Sequence, residues 1–296
     1  MPDCFLCPRK CGADRDISVG LCGVGSRIKI ARAALHMWEE PVISGDSGAG
    51  TVFFSGCPLR CEFCQNREIS LGGFGQEITG ERLVDIFFEL EEQGANNIDL
   101  VTPSHFAPQI AECIADARAK GLTIPFLWNS EAYETVESLR MMEGLVDIYM
   151  PDLKFMSPSM AERYSGARDY PEVAKAALSE MVRQQPVPVV ENGLMKKGVL
   201  VRHMLMPEGL IDSKRVIRYL YSEYGDRIFM SIMNQYTPCA FFKEHAELNR
   251  KVTEEEYMSL VDYAYGLGIR IAFVQGGETQ ETSFIPPFDL KGVLKQ

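Results

Sequence analysis

The chain has 296 residues, 46% of them hydrophobic, enough to bury one large core or one core with a small appended module. Its 41 acidic and 30 basic residues give a formal net charge of -11, which argues against general electrostatic capture of a nucleic-acid backbone. The opening MPDCFLCPRKCG lacks the apolar segment of a secretory signal, and no later run is long enough for a membrane span. The chain therefore reads as a cytoplasmic protein with neither nucleic acid nor membrane as a partner.

Of nine cysteines, seven fall in two tight groups near the N-terminus, and in a reducing compartment such grouping points to metal rather than to disulfides. Residues 1–45 hold the first group, Cys4, Cys7, Cys11 and Cys22, spaced C-x2-C-x3-C-x10-C. With few apolar runs, and with Gly12, Gly20, Gly23 and Gly25 suited to tight turns, this stretch is predicted to be a small module that folds around a metal. Four thiolates satisfy a closed site for zinc, a single iron or a second iron-sulfur cluster, and an iron-loaded site would permit a redox relay. ALHMWEEPVISG (34–45) leads toward the second part of the chain; Glu39 and Glu40 either face an active site or form a solvated pair, and the solvated pair is the reading taken.

Residues 46–296 change in texture. TVFFSG (51–56), NIDLV (97–101), IPFLW (124–128), VDIYM (146–150), GVLVRHMLM (198–206) and IFMSIM (228–233) are short branched or aromatic runs that predict strands, and IRIAFV (269–274) adds a seventh. Amphipathic stretches between them, such as GERLVDIFFELEEQG and DSKRVIRYLYSEYG, predict helices. The alternation specifies an α/β fold with a parallel sheet covered by helices. Periodicity alone does not separate an open doubly wound sheet from a closed or partial barrel. Cys113, inside the helical PQIAECIADARAKG, reads as a small buried hydrophobe, and Cys239 follows a strand end.

The second cysteine group, Cys57, Cys61 and Cys64, lies in GCPLRCEFCQN (56–66), spaced C-x3-C-x2-C, directly after the first strand of the alternation. Three thiolates on one short loop can hold three irons of a cubane and leave the fourth without a protein ligand. A closed zinc site would need a fourth ligand, and none follows nearby. In parallel barrels, loops at the C-terminal ends of strands build the active site, and this is such a loop.

This loop resembles that of the radical S-adenosylmethionine superfamily. The resemblance implies a partial (β/α)6 TIM-like barrel, a 4Fe-4S cluster on Cys57, Cys61 and Cys64, S-adenosylmethionine chelating the open iron, and reductive cleavage to methionine and a 5′-deoxyadenosyl radical. It implies an electron donor such as a flavodoxin or ferredoxin. CFLCPRKCGADR, ALHMWEEPVISG, LVTPSHF, DIYMPDLKF and LVRHMLMPEG resemble the pyruvate formate-lyase activating-enzyme-like branch, in its group with an N-terminal four-cysteine module. The substrate expected from that likeness is a protein or peptide, including glycyl-radical formation in a partner, with a small molecule as the variant.

Candidate ligands of S-adenosylmethionine follow along the chain. Phe63 is either packed near the adenine, as the resemblance implies, or a core aromatic. At the second strand end the family's Gly-Gly-Glu is replaced by Thr102-Pro103-Ser104-His105, which makes Thr102 and Ser104 substitute ligands and His105 a candidate for substrate chemistry. Gly276-Gly277-Glu278 falls after the last strand and reads as loop. Asn129 and Glu131 are two apart at the third strand end and serve as ligands or helix caps. Asp152 and Lys154, also two apart, put an acceptor and a cation on one face, either as ligands or as a plain surface pair. Adjacent Arg202 and His203 point opposite ways, and the resemblance favours Arg202 as the contact. An iron-sulfur electron carrier or metal-dependent binding module without cleavage activity is the competing class.

Overall fold

The computed structural model describes residues 4–275 and 285–295. Its strands are β1 (Lys29–His36), β2 (Ala49–Phe54), β3 (Gln76–Glu77), β4 (Ile98–Val101), β5 (Phe126–Ser130), β6 (Ile148–Pro151), β7 (Val189–Glu191), β8 (Leu194–Met204), β9 (Phe229–Met233) and β10 (Ala272–Val274). The helices are α1 (Pro41–Ser44), α2 (Arg67–Ser70), α3 (Gly80–Glu92), α4 (Ala107–Ala119), α5 (Val136–Arg140), α6 (Pro158–Ser165), α7 (Tyr170–Gln184), α8 (Leu210–Tyr224) and α9 (Glu254–Leu267).

The strands form one sheet in the order β10-β9-β8-β6-β5-β4-β2-β1-β3, with β7 beside β8. From β2 through β10 along that path every pairing is parallel, whereas β1, β3 and β7 join antiparallel. This is the α/β partial barrel expected, and Ala272–Val274 is the seventh parallel strand that IRIAFV foreshadowed. Every residue of β2, β4, β5 and β6 is buried, as befits strands covered on both faces.

Helix starts obey local rules. The Thr79 hydroxyl accepts from the Arg82 amide to cap α3, and a capping box of Thr253 and Glu256 opens α9. Leu83, Val84, Ile86, Phe87 and Leu90 form the buried stripe of α3.

The sequence gives no alternation cue for β1, yet residues 29–36 run antiparallel to β2 with Leu35 opposite Gly50. The C-terminal segment packs against it: the Ala33 amide donates to Lys291 O (2.8 Å) and the Leu290 amide to Ala31 O (3.0 Å). Gly292 is required there, because a Cβ would fall 2.1 Å from Ala33 O. Cys113 is buried in the core, as its helical setting predicts. Among the described residues no helix is long and apolar enough to cross a membrane.

Candidate active site

After β2 the chain turns at Gly56, with φ +84° and no room for a Cβ, which would meet Cys22 O at 2.7 Å. The turn delivers Cys57, Cys61 and Cys64 to one wall of a cavity of about 220 Å³ at the C-terminal ends of the parallel strands. Burial pushes all three thiols up, Cys61 to about 12. A metal ion bound at this loop would favour the thiolate forms that burial disfavours. The Ser165 hydroxyl donates to Cys61 Sγ and the Ser70 hydroxyl to Cys64 Sγ, each at 3.2 Å. No fourth cysteine lines this cavity among the described residues.

The facing wall is polar. Thr102, Asn129, Glu131, Asp152, Lys154 and Arg202 all line it, together with Phe63 beside the cysteines. Lys154 Nζ donates to Asp152 Oδ2 (2.7 Å). Arg202 donates from Nε to Asp152 Oδ1 (2.8 Å), from Nη1 to Glu39 Oε2 (2.9 Å) and from Nη2 to Asn129 Oδ1 (2.7 Å). Burial pushes the Asp152 carboxyl up, but Arg202 and Lys154 more than reverse this and leave it below its ordinary value. The Tyr170 hydroxyl donates to Asp152 O (2.7 Å), lies 3.1 Å from Glu131 O, and accepts from the Lys154 amide (2.9 Å), which ties the β5 and β6 ends together.

Two features are those of a site shaped for a charged ligand. Glu131 is buried, its Oε2 has no hydrogen-bond partner, and burial with the nearby Glu134 charge pushes its carboxyl up to about 8. Thr102 adopts φ +56°, a left-handed conformation costly for a branched residue, at the end of β4. The three thiols, the cations beside them and the unpartnered carboxylate oxygen fit a cubane with an amino-acid chelate.

Other expectations are corrected. Ser104 does not line the cavity; its hydroxyl sits 3.5 Å from Glu131 Oε1, behind that carboxylate. His105 is also turned away, its Nε2 2.8 Å from Ser55 O, and burial holds its pKa down at about 3. Glu39 and Glu40 are not a solvated pair. Glu39 lines the cavity in its ion pair with Arg202, and Glu40 is buried. His203 points away from the cavity, Nδ1 2.7 Å from Leu153 O, so one of the adjacent pair faces in. Gly276-Gly277-Glu278 lies outside the described residues. Gln235, after β9, also lines the cavity, as do His36, Trp38 and Gln65, which no local pattern marks.

The N-terminal thiols stand apart from this cavity. Cys4, Cys7 and Cys22 are buried and Cys11 is half-buried. Among the described residues no group of three or more His, Cys, Asp or Glu side chains is arranged to hold a metal ion, and this includes both cysteine groups.

Residues 51–220, more than half of the chain, match the Radical SAM superfamily. The chain belongs to that superfamily. Membership brings the 4Fe-4S cluster, S-adenosylmethionine and the superfamily's general radical reaction. An uncharacterized protein of Methanocaldococcus jannaschii is 27% identical over 270 residues, covering 88% of this chain and 74% of the relative. Streptococcus suis SuiB shares the fold with a TM-score of 0.51 at 11% identity, over 78% of this chain and 49% of SuiB. SuiB bound to precursor peptide SuiA superposes with a TM-score of 0.50 at 12% identity, over 75% of this chain and 47% of that one. The chain spans about half the length of SuiB, and at such identity the likeness concerns the fold.

Proposed function

We propose that this radical SAM enzyme holds its cluster on Cys57, Cys61 and Cys64 and abstracts hydrogen from a protein or peptide. The carrying observation is a single cavity that brings three thiols together with Lys154, Arg202 and an unpartnered Glu131 oxygen. When bound, the cluster and S-adenosylmethionine supply a 5′-deoxyadenosyl radical from one-electron cleavage.

The chain's own residues supply binding and orientation. Lys154 keeps two donors beyond its bond to Asp152, and Arg202 keeps one hydrogen on each terminal nitrogen, so both can take the methionyl carboxylate. Glu131 Oε2 accepts from the methionyl ammonium, and Thr102 contributes at the same end. Asn129 and Asp152 serve the ribose hydroxyls, and Phe63, packed edge-on to Phe155 and Tyr164, backs the cluster loop. Ser104 acts through Glu131.

For the substrate, support comes from the activating-enzyme-like motifs and from the cavity mouth, where Trp38 is 60% exposed and Ile285 and Pro286 form part of the lining. Such a rim suits a polypeptide segment, and the activase likeness favours a backbone glycine as hydrogen donor. A flavodoxin- or ferredoxin-type donor supplies the electron, and Cys4, Cys7, Cys11 and Cys22 form a second metal site. The test is anaerobic reconstitution followed by measurement of 5′-deoxyadenosine. Product under strong reduction is expected; none from a protein with an intact cluster overturns the reading in favour of an electron carrier.

A further inference from the structure

Cys4, Cys7, Cys11 and Cys22 converge ahead of β1. The Cys7 thiol lies within electrostatic range of the other three. Gly20 packs on two of them: a Cβ there would stand 3.3 Å from Cys22 Sγ and 3.5 Å from Cys11 Sγ. Beside these sulfurs sits Arg15, only 2% exposed. Its Nη1 donates to His105 O (2.6 Å), its Nη2 to Gly25 O, and its guanidinium lies over the Phe106 ring at 5.4 Å. Its Nε has no hydrogen-bond partner, its terminal nitrogens donate to backbone carbonyls alone, and the exposed Asp16 carboxylate is within electrostatic range. A buried guanidinium served only by neutral groups is strongly penalised unless an anion stands nearby. The same Gly20 Cβ position lies 3.7 Å from Arg15 Cδ, so the arginine stem packs beside the Cys11 and Cys22 sulfurs. Four thiolates around a divalent zinc, or around a 2+ cubane, leave a net charge of about minus two. That charge would lie beside the buried arginine.

The same segment grips the cluster loop. The Cys57 amide donates to Cys22 O (3.0 Å), and Arg60 reaches Leu21 O (3.3 Å). Arg9, between Cys7 and Cys11, donates to Pro58 O (2.9 Å), Leu59 O (2.9 Å) and Ser165 O (2.7 Å). The backbone that presents Cys57 and Cys61 is thus held from the thiol side.

We infer that Cys4, Cys7, Cys11 and Cys22 hold an anionic tetrathiolate metal centre with Arg15 as its buried counter-ion, and that loading this centre fixes the Cys57–Cys61 backbone for cluster assembly. Residues 4–28 contain no helix or strand, so drawing the thiols onto a metal moves turns and breaks no ladder. Zinc and an iron-sulfur cluster share the required charge, and loading separates them. The first half is independent of the proposed radical chemistry; the second half rests on it.

The full chain carrying Cys57→Ala, Cys61→Ala and Cys64→Ala, which lacks the catalytic ligands, is loaded anaerobically with zinc in one arm and iron plus sulfide in the other. Retention of about one zinc or about four irons per chain is expected in one arm, lost when Cys4→Ser is added. Arg15→Gln should lower retention against a chelator about tenfold, with partial rescue by Arg15→Lys. No retention in either arm overturns the site while leaving the reading of the barrel intact. In the otherwise natural chain, Cys4→Ser should cut the catalytic cluster's electron paramagnetic resonance signal about tenfold or more, and Arg9→Gln, which removes no thiol, should cut it less. Wild-type signal in both variants overturns the coupling.

Discussion

The two cysteine loops lie one hydrogen bond apart, Cys57 amide to Cys22 carbonyl, yet the unpartnered buried atoms nearest their sulfurs differ in kind. In the three-thiol cavity one such atom belongs to a carboxyl, Glu131 Oε2; beside the four-thiol loop one belongs to a guanidinium, Arg15 Nε. The difference follows from ligand count. A site with three thiolates must receive an exogenous chelate with an ammonium and a sulfonium, so a carboxylate waits in its cavity. Four thiolates saturate a metal and need only a counter-ion. Serine hydroxyls at 3.2 Å from Cys61 and Cys64 add hydrogen bonds to sulfur on the three-thiol side.

The largest effect that would break this contrast is at the three-thiol loop. Cys61→Ala should reduce 5′-deoxyadenosine to background, because two thiolates cannot hold a site-differentiated cubane. Asp152→Ala comes next. Losing it leaves Lys154 without its 2.7 Å partner and Arg202 with only Glu39 and Asn129, so product formation should fall about 10- to 100-fold, with weaker S-adenosylmethionine binding by calorimetry. Glu39→Gln keeps the shape and removes one charge from the Arg202 cradle, and about a tenfold rise in dissociation constant is expected. Unchanged binding in both variants would show that the ion network is architectural.

How far the sequence announces these features depends on whether they are local. The parallel strands and their helices are legible because each buries a periodic apolar face, and the pairs Asn129/Glu131 and Asp152/Lys154 are legible because residues two apart on a strand end share a side. β1 is not, since KIARAALH alternates poorly and becomes a strand through pairing with β2 and packing of residues 290–293. The ion pair of Glu39 is not legible for the same reason: its partner Arg202 is 163 residues away, so a Trp-Glu-Glu run leaves a cavity-facing and a solvated placement both open. The outward turn of His105 depends on its contact with Ser55 O, another long-range bond.

The smallest effect concerns the carboxylate side of the comparison before any cofactor is loaded. Glu134, buried in the turn after β5, accepts from Trp128 Nε1 and from the Ser130 hydroxyl, each at 2.7 Å. Burial pushes its carboxyl up to about 7, against the lowering by those two donors. A group raised in the folded state contributes stability that is complete below its unfolded value near 4.5 and is lost as pH rises through about 7. Glu134 should therefore contribute a loss of about 2 kcal/mol of stability between pH 5 and pH 8, to within a factor of two, read by denaturant titration as the difference between the cofactor-free wild type and Glu134→Gln. Glu131, raised to about 8, and His105, lowered to about 3, titrate in both proteins and cancel in that difference, apart from the repulsion between Glu131 and Glu134. Trp128 reports the same ionisation directly: with Trp38→Phe removing the exposed indole, emission should change with a midpoint near pH 7. Arg15→Gln alters no carboxyl group and should leave that difference untouched. If that variant changed the difference instead, the two loops would share one buried charge balance, and their contrast would be one of geometry alone.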